Sequence, residues 1–99
     1  MSETTKDPRA GAYGYHADRL DDASREVRLE IAGRVKAARV ATGISQAKMA
    51  EALAVPLGTY RRWETGESPI PADVLVRIGS ELGVGATGLM LGAGGKGAA

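Results

Sequence analysis

The segment "TGISQAKMAEALAVPLG", residues 42–58, constrains the fold more than any other, because two stop signals bracket a single short run within it. Gly43 can take the left-handed conformation that ends a helix without a Cβ clash. Ser45 then offers its hydroxyl to the free amides of a helix beginning at Gln46. Ala47, Met49, Ala50, Leu53 and Ala54 give that helix one apolar face. Pro56 disfavours helical geometry at the residue before it and has no amide, so the helix ends near Val55 and Pro56 suits the first turn of a new one. The spacing thus predicts two short helices joined by a tight turn.

The second of them is expected over about residues 56–64, with Tyr60 and Trp63 on one side at i, i+3 and Thr59, Arg61 and Arg62 pointing elsewhere. Gly66, Pro69 and Pro71 then break the chain. A further amphipathic helix follows from Pro71, with apolar Val74, Leu75, Ile78 and Leu82, and Gly83 ends it. "GATGLML" has the length of one last turn or short helix. Upstream, Leu20, Val27, Ile31, Val35, Ala38 and Thr42 recur at intervals of three, four or seven and line one helical face from Ala17 onward. Gly33 lies inside this run and costs about 1 kcal/mol relative to Ala, which leaves open whether the run is one helix or two. No strand-like alternation and no repeat occurs. The reading is an all-α fold, a compact domain of four or five short helices over residues 31–92. A helical extension at residues 17–30 precedes it, together with a disordered arm at residues 1–16, and a Gly-rich flexible tail at residues 93–99 follows it.

A globular part of about 60 residues buries only about 60% of its unfolded surface, so stability is expected to be marginal or helped by a partner. With 43% apolar and 25% charged residues the chain falls in the globular range, and four aromatics without phenylalanine imply an aliphatic core. Cysteine is absent, which removes disulfide and thiolate chemistry and is compatible with a reducing cytoplasm. The amino terminus has no apolar signal core, and no run approaches the roughly 18 apolar residues of a membrane helix. A cytoplasmic protein without membrane association is the expectation. The net charge of +1 is unevenly spread: residues 1–33 sum to −2, residues 34–67 to +3 and residues 68–99 to zero. The basic middle segment points to a polyanion.

A helix of about eight residues, a turn of about three and a second short helix with outward arginines is the arrangement of a helix-turn-helix. The major groove of B-DNA is about 12 Å wide and accepts one α-helix, so the reader needs a core-facing side and a side that carries donors. Arg39, Gly43, the Ser45–Gln46 pair, Ala50 and "WETG" at residues 63–66 stand in one register. Together with the stretch through "PIPADVLVRIGSELGV", they resemble the Cro/repressor-type, or XRE-type, helix-turn-helix family, with its lambda-repressor-like fold. The resemblance covers roughly residues 31–92 and implies binding of double-stranded DNA.

It also implies roles. Ser45 and Gln46, at the start of the first short helix, would meet a DNA phosphate, aided by free amides and the helix dipole. Leu57, Gly58, Thr59 and Arg62 match base-facing positions, and Arg61 is near enough to reach base or backbone. One of the two arginines would fork onto the O6 and N7 of a guanine, worth about 1 to 3 kcal/mol of discrimination. Leu57 would touch a thymine methyl, while Gly58 would let the helix approach closely. Arg39 and Glu64 match the family's structural ion pair between helices. Three departures stand out. Ala54 replaces the usual turn glycine and either avoids positive φ or carries strain. Pro56 replaces a Ser/Thr cap, and Glu67 stands where a basic residue is commoner.

Catalysis has no constellation here. His16 is the only histidine, there is no GxxxxGK loop or HExxH pair, and Ser24 and Ser45 have no evident base, so neither an enzyme, a cofactor nor a metal site is expected. The rival reading is an interaction module, such as an antitoxin, in which residues 17–30 bind a partner protein. One small helix-turn-helix covers few base pairs, so a two-fold homodimer on a pseudo-palindromic operator is expected, acting as a repressor. Val84, Leu89, Met90 and Leu91 are candidates for its interface, with Leu20 and Val27 as the alternative.

Overall fold

Five helices follow one another through residues 17–92, the part of the chain that the computed structural model describes. They are α1 (Ala17–Thr42), α2 (Gln46–Leu53), α3 (Leu57–Thr65), α4 (Ala72–Leu82) and α5 (Ala86–Leu91), with no strand among the described residues. The expected arm at residues 1–16 and tail at residues 93–99 lie outside the described part, as do Tyr13, Tyr15 and His16.

α1 is a single helix of 26 residues, so the 30/31 division drawn from the sequence falls inside one element. Gly33 does not interrupt it. That glycine is exposed, with open space where a Cβ would stand, while neighbouring Ala32 and Val35 are buried on the opposite side. Burying a valine is worth about 1.5–3 kcal/mol, which exceeds the roughly 1 kcal/mol cost of a helical glycine.

α2 starts at Gln46, where Ser45 Oγ accepts the Lys48 amide at 3.0 Å. It ends on Ala54, which takes the left-handed conformation (φ 59°, ψ 45°) and donates its amide to the carbonyls of Ala50 and Glu51. The strained option at that position is therefore the one adopted. Pro56 lies just outside α3 as its cap, one residue earlier than expected, because its ψ of 146° is extended. Its carbonyl still accepts the Tyr60 amide at 3.1 Å.

Val35, Met49, Leu53, Tyr60 and Ile78 are fully enclosed, and Ala50, Trp63, Val74, Leu75, Leu82 and Leu89 complete the core. Leu89 therefore belongs to the protomer's interior and not to an exposed interface. The reason is a long-range contact: Arg34 of α1 donates to the carbonyls of Leu89 (2.7 Å) and Met90 (2.6 Å), pinning the six-residue α5 with that side inward. Val84, Met90 and Leu91 remain exposed.

Residues 28 and 29, in the stretch delimited as an extension, also bear on the domain. Arg28 Nε donates to the Gly66 carbonyl at 3.2 Å, and Leu29 covers Gly66 so closely that a Cβ there would stand 2.5 Å from Leu29 Cδ2. Gly66 has φ 81° and closes α3. Its left-handed backbone favours glycine, and a Cβ there would also have to displace the Leu29 side chain.

A candidate nucleic-acid interface on the third helix

Tyr60, Trp63 and Glu64 are the buried residues of α3, and Gly58, Arg61, Arg62 and Thr65 are exposed. Successive helical residues are turned by about 100°. The direction opposite the buried trio accordingly falls between Gly58 and Arg62, with Arg62 about 30° from it and Arg61 about 70° from it on the side of Glu64. Leu57 and Thr59 sit half-buried at the two margins, and Leu57 packs partly against the core. The Tyr60 and Trp63 rings meet edge to face, with centroids 6.3 Å apart and planes at 80°. Such a contact contributes about 0.5–1.5 kcal/mol beyond burial, and it holds the inner side of a helix only nine residues long.

Beneath the exposed arginines lies a polar cluster. Arg39 Nε donates to Glu64 Oε2 at 2.6 Å and its Nη2 to Oε1 at 3.1 Å, a bidentate pair with the two side chains 10% and 1% exposed. The remaining Arg39 nitrogen donates to the Ile44 carbonyl at 2.7 Å, in the α1–α2 turn. The Tyr60 hydroxyl donates to Glu64 Oε2, and Gln46 Nε2 donates to Oε1 at 3.0 Å. Glu64 thus joins α1, α2 and α3 at one point.

Burial pushes the Glu64 carboxyl up, but the hydrogen bonds from Arg39, Tyr60 and Gln46 outweigh it and hold the acid below its ordinary range. The bond to Glu64 raises Arg39 further, against its own desolvation. Burial, reinforced by the bond to Glu64, pushes the Tyr60 phenol up, so it stays a neutral donor. The charge of Glu64 is spent internally on Arg39, leaving Arg61 and Arg62 uncancelled by their nearest acid. Among the described residues Arg61 makes one side-chain hydrogen bond, Nε to Gln46 Oε1 at 3.4 Å. Among the described residues no acceptor lies within bonding distance of the Arg62 guanidinium; its Nη1 reaches back to 3.9 Å from where a Gly58 Cβ would be. Ser45 and Lys48 are exposed at the start of α2, and Lys48 stands 4.0 Å from Glu51 in an open surface pair that contributes little.

Sequence reasoning named Tyr60 and Gln46 but missed the hydrogen bonds that tie them to this cluster. Tyr60 is more than core filling, since its hydroxyl bonds the acid; the i, i+4 spacing of Tyr60 and Glu64 was the available signal. Gln46 is committed to Glu64 and Arg61 by side-chain bonds across 18 and 15 residues of sequence, for which periodicity has no mark.

The family model described as helix-turn-helix matches residues 35–89, more than half of the chain. The chain belongs to the XRE-type helix-turn-helix family. Its described part is all-helical, and residues 35–89 within it are a DNA-binding domain of the transcription-regulator type that contains α2 and α3. The match begins at Val35, within α1, and leaves the helix-turn-helix chain's residues 17–34 outside it. No curated protein and no solved structure matches the chain. Among the described residues no helix is long and apolar enough to cross a membrane.

Proposed function

We propose that this chain is a sequence-specific regulator of transcription: a repressor that acts in the cytoplasm as a homodimer on a pseudo-palindromic operator, without catalysing a reaction. In this reading α3 enters the major groove, Leu57, Gly58, Thr59, Arg61 and Arg62 face the bases and nearby backbone, and Ser45 and Gln46 lie against a phosphate. The observation that carries it is the outer side of α3, where two exposed arginines stand on a helix braced from below by Tyr60, Trp63 and the Arg39–Glu64 pair. A reading helix must enter a groove without melting, and its donors must not be neutralised by its own acid. Both conditions are met. Val84, Met90 and Leu91, 39%, 40% and 69% exposed, are the apolar residues offered to a second copy, with Val27 the alternative.

Selection of binding sites from a random duplex pool tests this. Enrichment of an inverted repeat by the wild type, lost or relaxed in Arg62→Ala, is the expected result. Failure to enrich any sequence sinks it. Sedimentation showing a strict monomer at tens of micromolar, with and without the selected duplex, removes the dimer.

A second reading is favoured by one observation. α1 and the α3–α4 loop form an open groove whose apolar lining is Ala23, Val27, Ile31, Pro69 and Ile70, with Ser24, Arg28 and Ser68 also on its walls and Val27 half exposed. An interaction module that holds a partner protein through residues 17–30 would use it. Binding to such a partner that is insensitive to Arg62→Ala distinguishes the two.

A further inference from the structure

The two arginines of α3 are neighbours in sequence and are treated differently by the fold. Arg61 leans toward Glu64 and the amino terminus of α2, where Gln46 Oε1 accepts its Nε at 3.4 Å. Gln46 is itself held by Glu64, 3.0 Å from its Nε2, and Glu64 by Arg39. A continuous chain of side chains therefore runs from α1 to the Arg61 guanidinium. Arg62 has no such tether among the described residues, lies closer to the outward direction and reaches back over Gly58 toward the start of α3.

In a helix-turn-helix complex the second helix lies in the groove, its amino-terminal residues on the base edges, while the first helix crosses the sugar–phosphate backbone. The side of α3 that faces the start of α2 is thus the backbone side. A guanidinium whose Nε is engaged there still has both terminal nitrogens to give to a phosphate. An arginine pointing along the outward direction over Gly58 has the bases before it.

Resting on the regulator reading above, we propose that Gln46 is a positioning residue that commits Arg61 to a backbone phosphate, and that Arg62 alone of the two arginines reads a base pair. Gln46 then acts on DNA chiefly through Arg61. Glu64 takes one N–H of its amide and Arg61 its oxygen, which leaves a single N–H for a phosphate of its own.

The test is affinity for the selected duplex, and for a panel of it altered one base pair at a time, across 50 to 200 mM salt. Wild type, Arg61→Ala, Gln46→Ala and the double variant are compared, with melting curves to show that each is folded. One phosphate contact adds about 0.9 to the slope of log affinity against log salt. Arg61→Ala is expected to make the slope shallower by about 0.9, so that its affinity falls about 3.5-fold less than the wild type's over this range. Binding should weaken by one common factor across the panel. Gln46→Ala should reproduce much of that change in slope, with no further change in the double variant. A loss of preference at one base pair in Arg61→Ala, with the slope intact, overturns the proposal, as does strict additivity of the two single changes. A wild type that binds every duplex equally removes the regulator reading and the proposal with it.

Discussion

Three donors from three helices converge on the two oxygens of Glu64, a side chain only 1% exposed: Arg39 from α1, Gln46 from α2 and Tyr60 from its own helix. Removing one partner of a buried pair leaves an uncompensated charge and costs about 3–5 kcal/mol. We therefore expect Glu64→Gln to lower stability at pH 7 by about that much, read from urea midpoints. The gap should depend on pH in a defined direction. The folded value lies below the ordinary, unfolded one of about 4.3, so the stabilisation from the ionised acid is complete above that pH and disappears as the pH falls through the folded value. The gap between wild type and Glu64→Gln should narrow as the pH falls from the unfolded value through the folded one, and a gap that stays constant to pH 2 would show that ionisation is not what the site stores. Ala54 gives an opposite case. Its left-handed backbone costs an alanine about 1–2 kcal/mol, whereas glycine costs about 0.4–1 kcal/mol more entropy on folding. Strain wins, so Ala54→Gly should raise stability by about 0.5 kcal/mol with the fold intact; a lower melting temperature would contradict this.

Helix α1 shows which elements could be read from sequence. α2 through α5 are bracketed by Ser45, Pro56, Gly66, Pro71, Gly83 and Gly85, residues whose backbone chemistry marks ends, and their bounds follow to within a residue except the end of α2, expected near Val55 and found at Leu53. The continuity of α1 was not legible. Whether Gly33 breaks the run is decided by what Ala32 and Val35 bury, which is a matter of tertiary packing. The inward turn of Leu89 was hidden for the same reason, since the apolar residues of a six-residue helix do not tell which one a distant Arg34 pins to the core. Within the candidate site, residue types and helical spacing put Arg61 and Arg62 outside and Tyr60 and Trp63 inside, but the Gln46 bonds that separate the two arginines join elements far apart in sequence. Two substitutions test the element. Gly33→Ala fills open space on an exposed helical surface and should stabilise by about 0.5–1 kcal/mol, visible in the urea midpoint. Gly66→Ala meets both a left-handed backbone and Leu29, and should cost more than about 2 kcal/mol; a smaller loss would mean that Leu29 moves aside freely.

A single small domain has little stability in reserve, so the whole molecule should register its ligand strongly. A duplex present at one hundred times its dissociation constant stabilises the folded form by about 2.7 kcal/mol, and each kcal/mol moves the melting temperature of a domain this size by about 4–8 °C. The selected duplex should raise the wild-type melting temperature by about 10 °C or more, and the same concentration should raise that of Arg62→Ala far less. Equal shifts for both proteins would mean that the bases are not being read through Arg62. At this scale the unbroken α1 has a further consequence. It reaches from the groove at Val27, past the brace on Gly66, to the Arg39 anchor beneath α3, so its outer half is continuous with the part that holds α3 and its angular phase relative to α3 is set by one helix. One residue inserted between Arg25 and Glu26 turns everything before it by about 100° and moves it by about 1.5 Å, whereas seven restore nearly the original phase at a longer distance. A partner that gripped that end of the chain would be held in register with α3 by the pitch of a single helix.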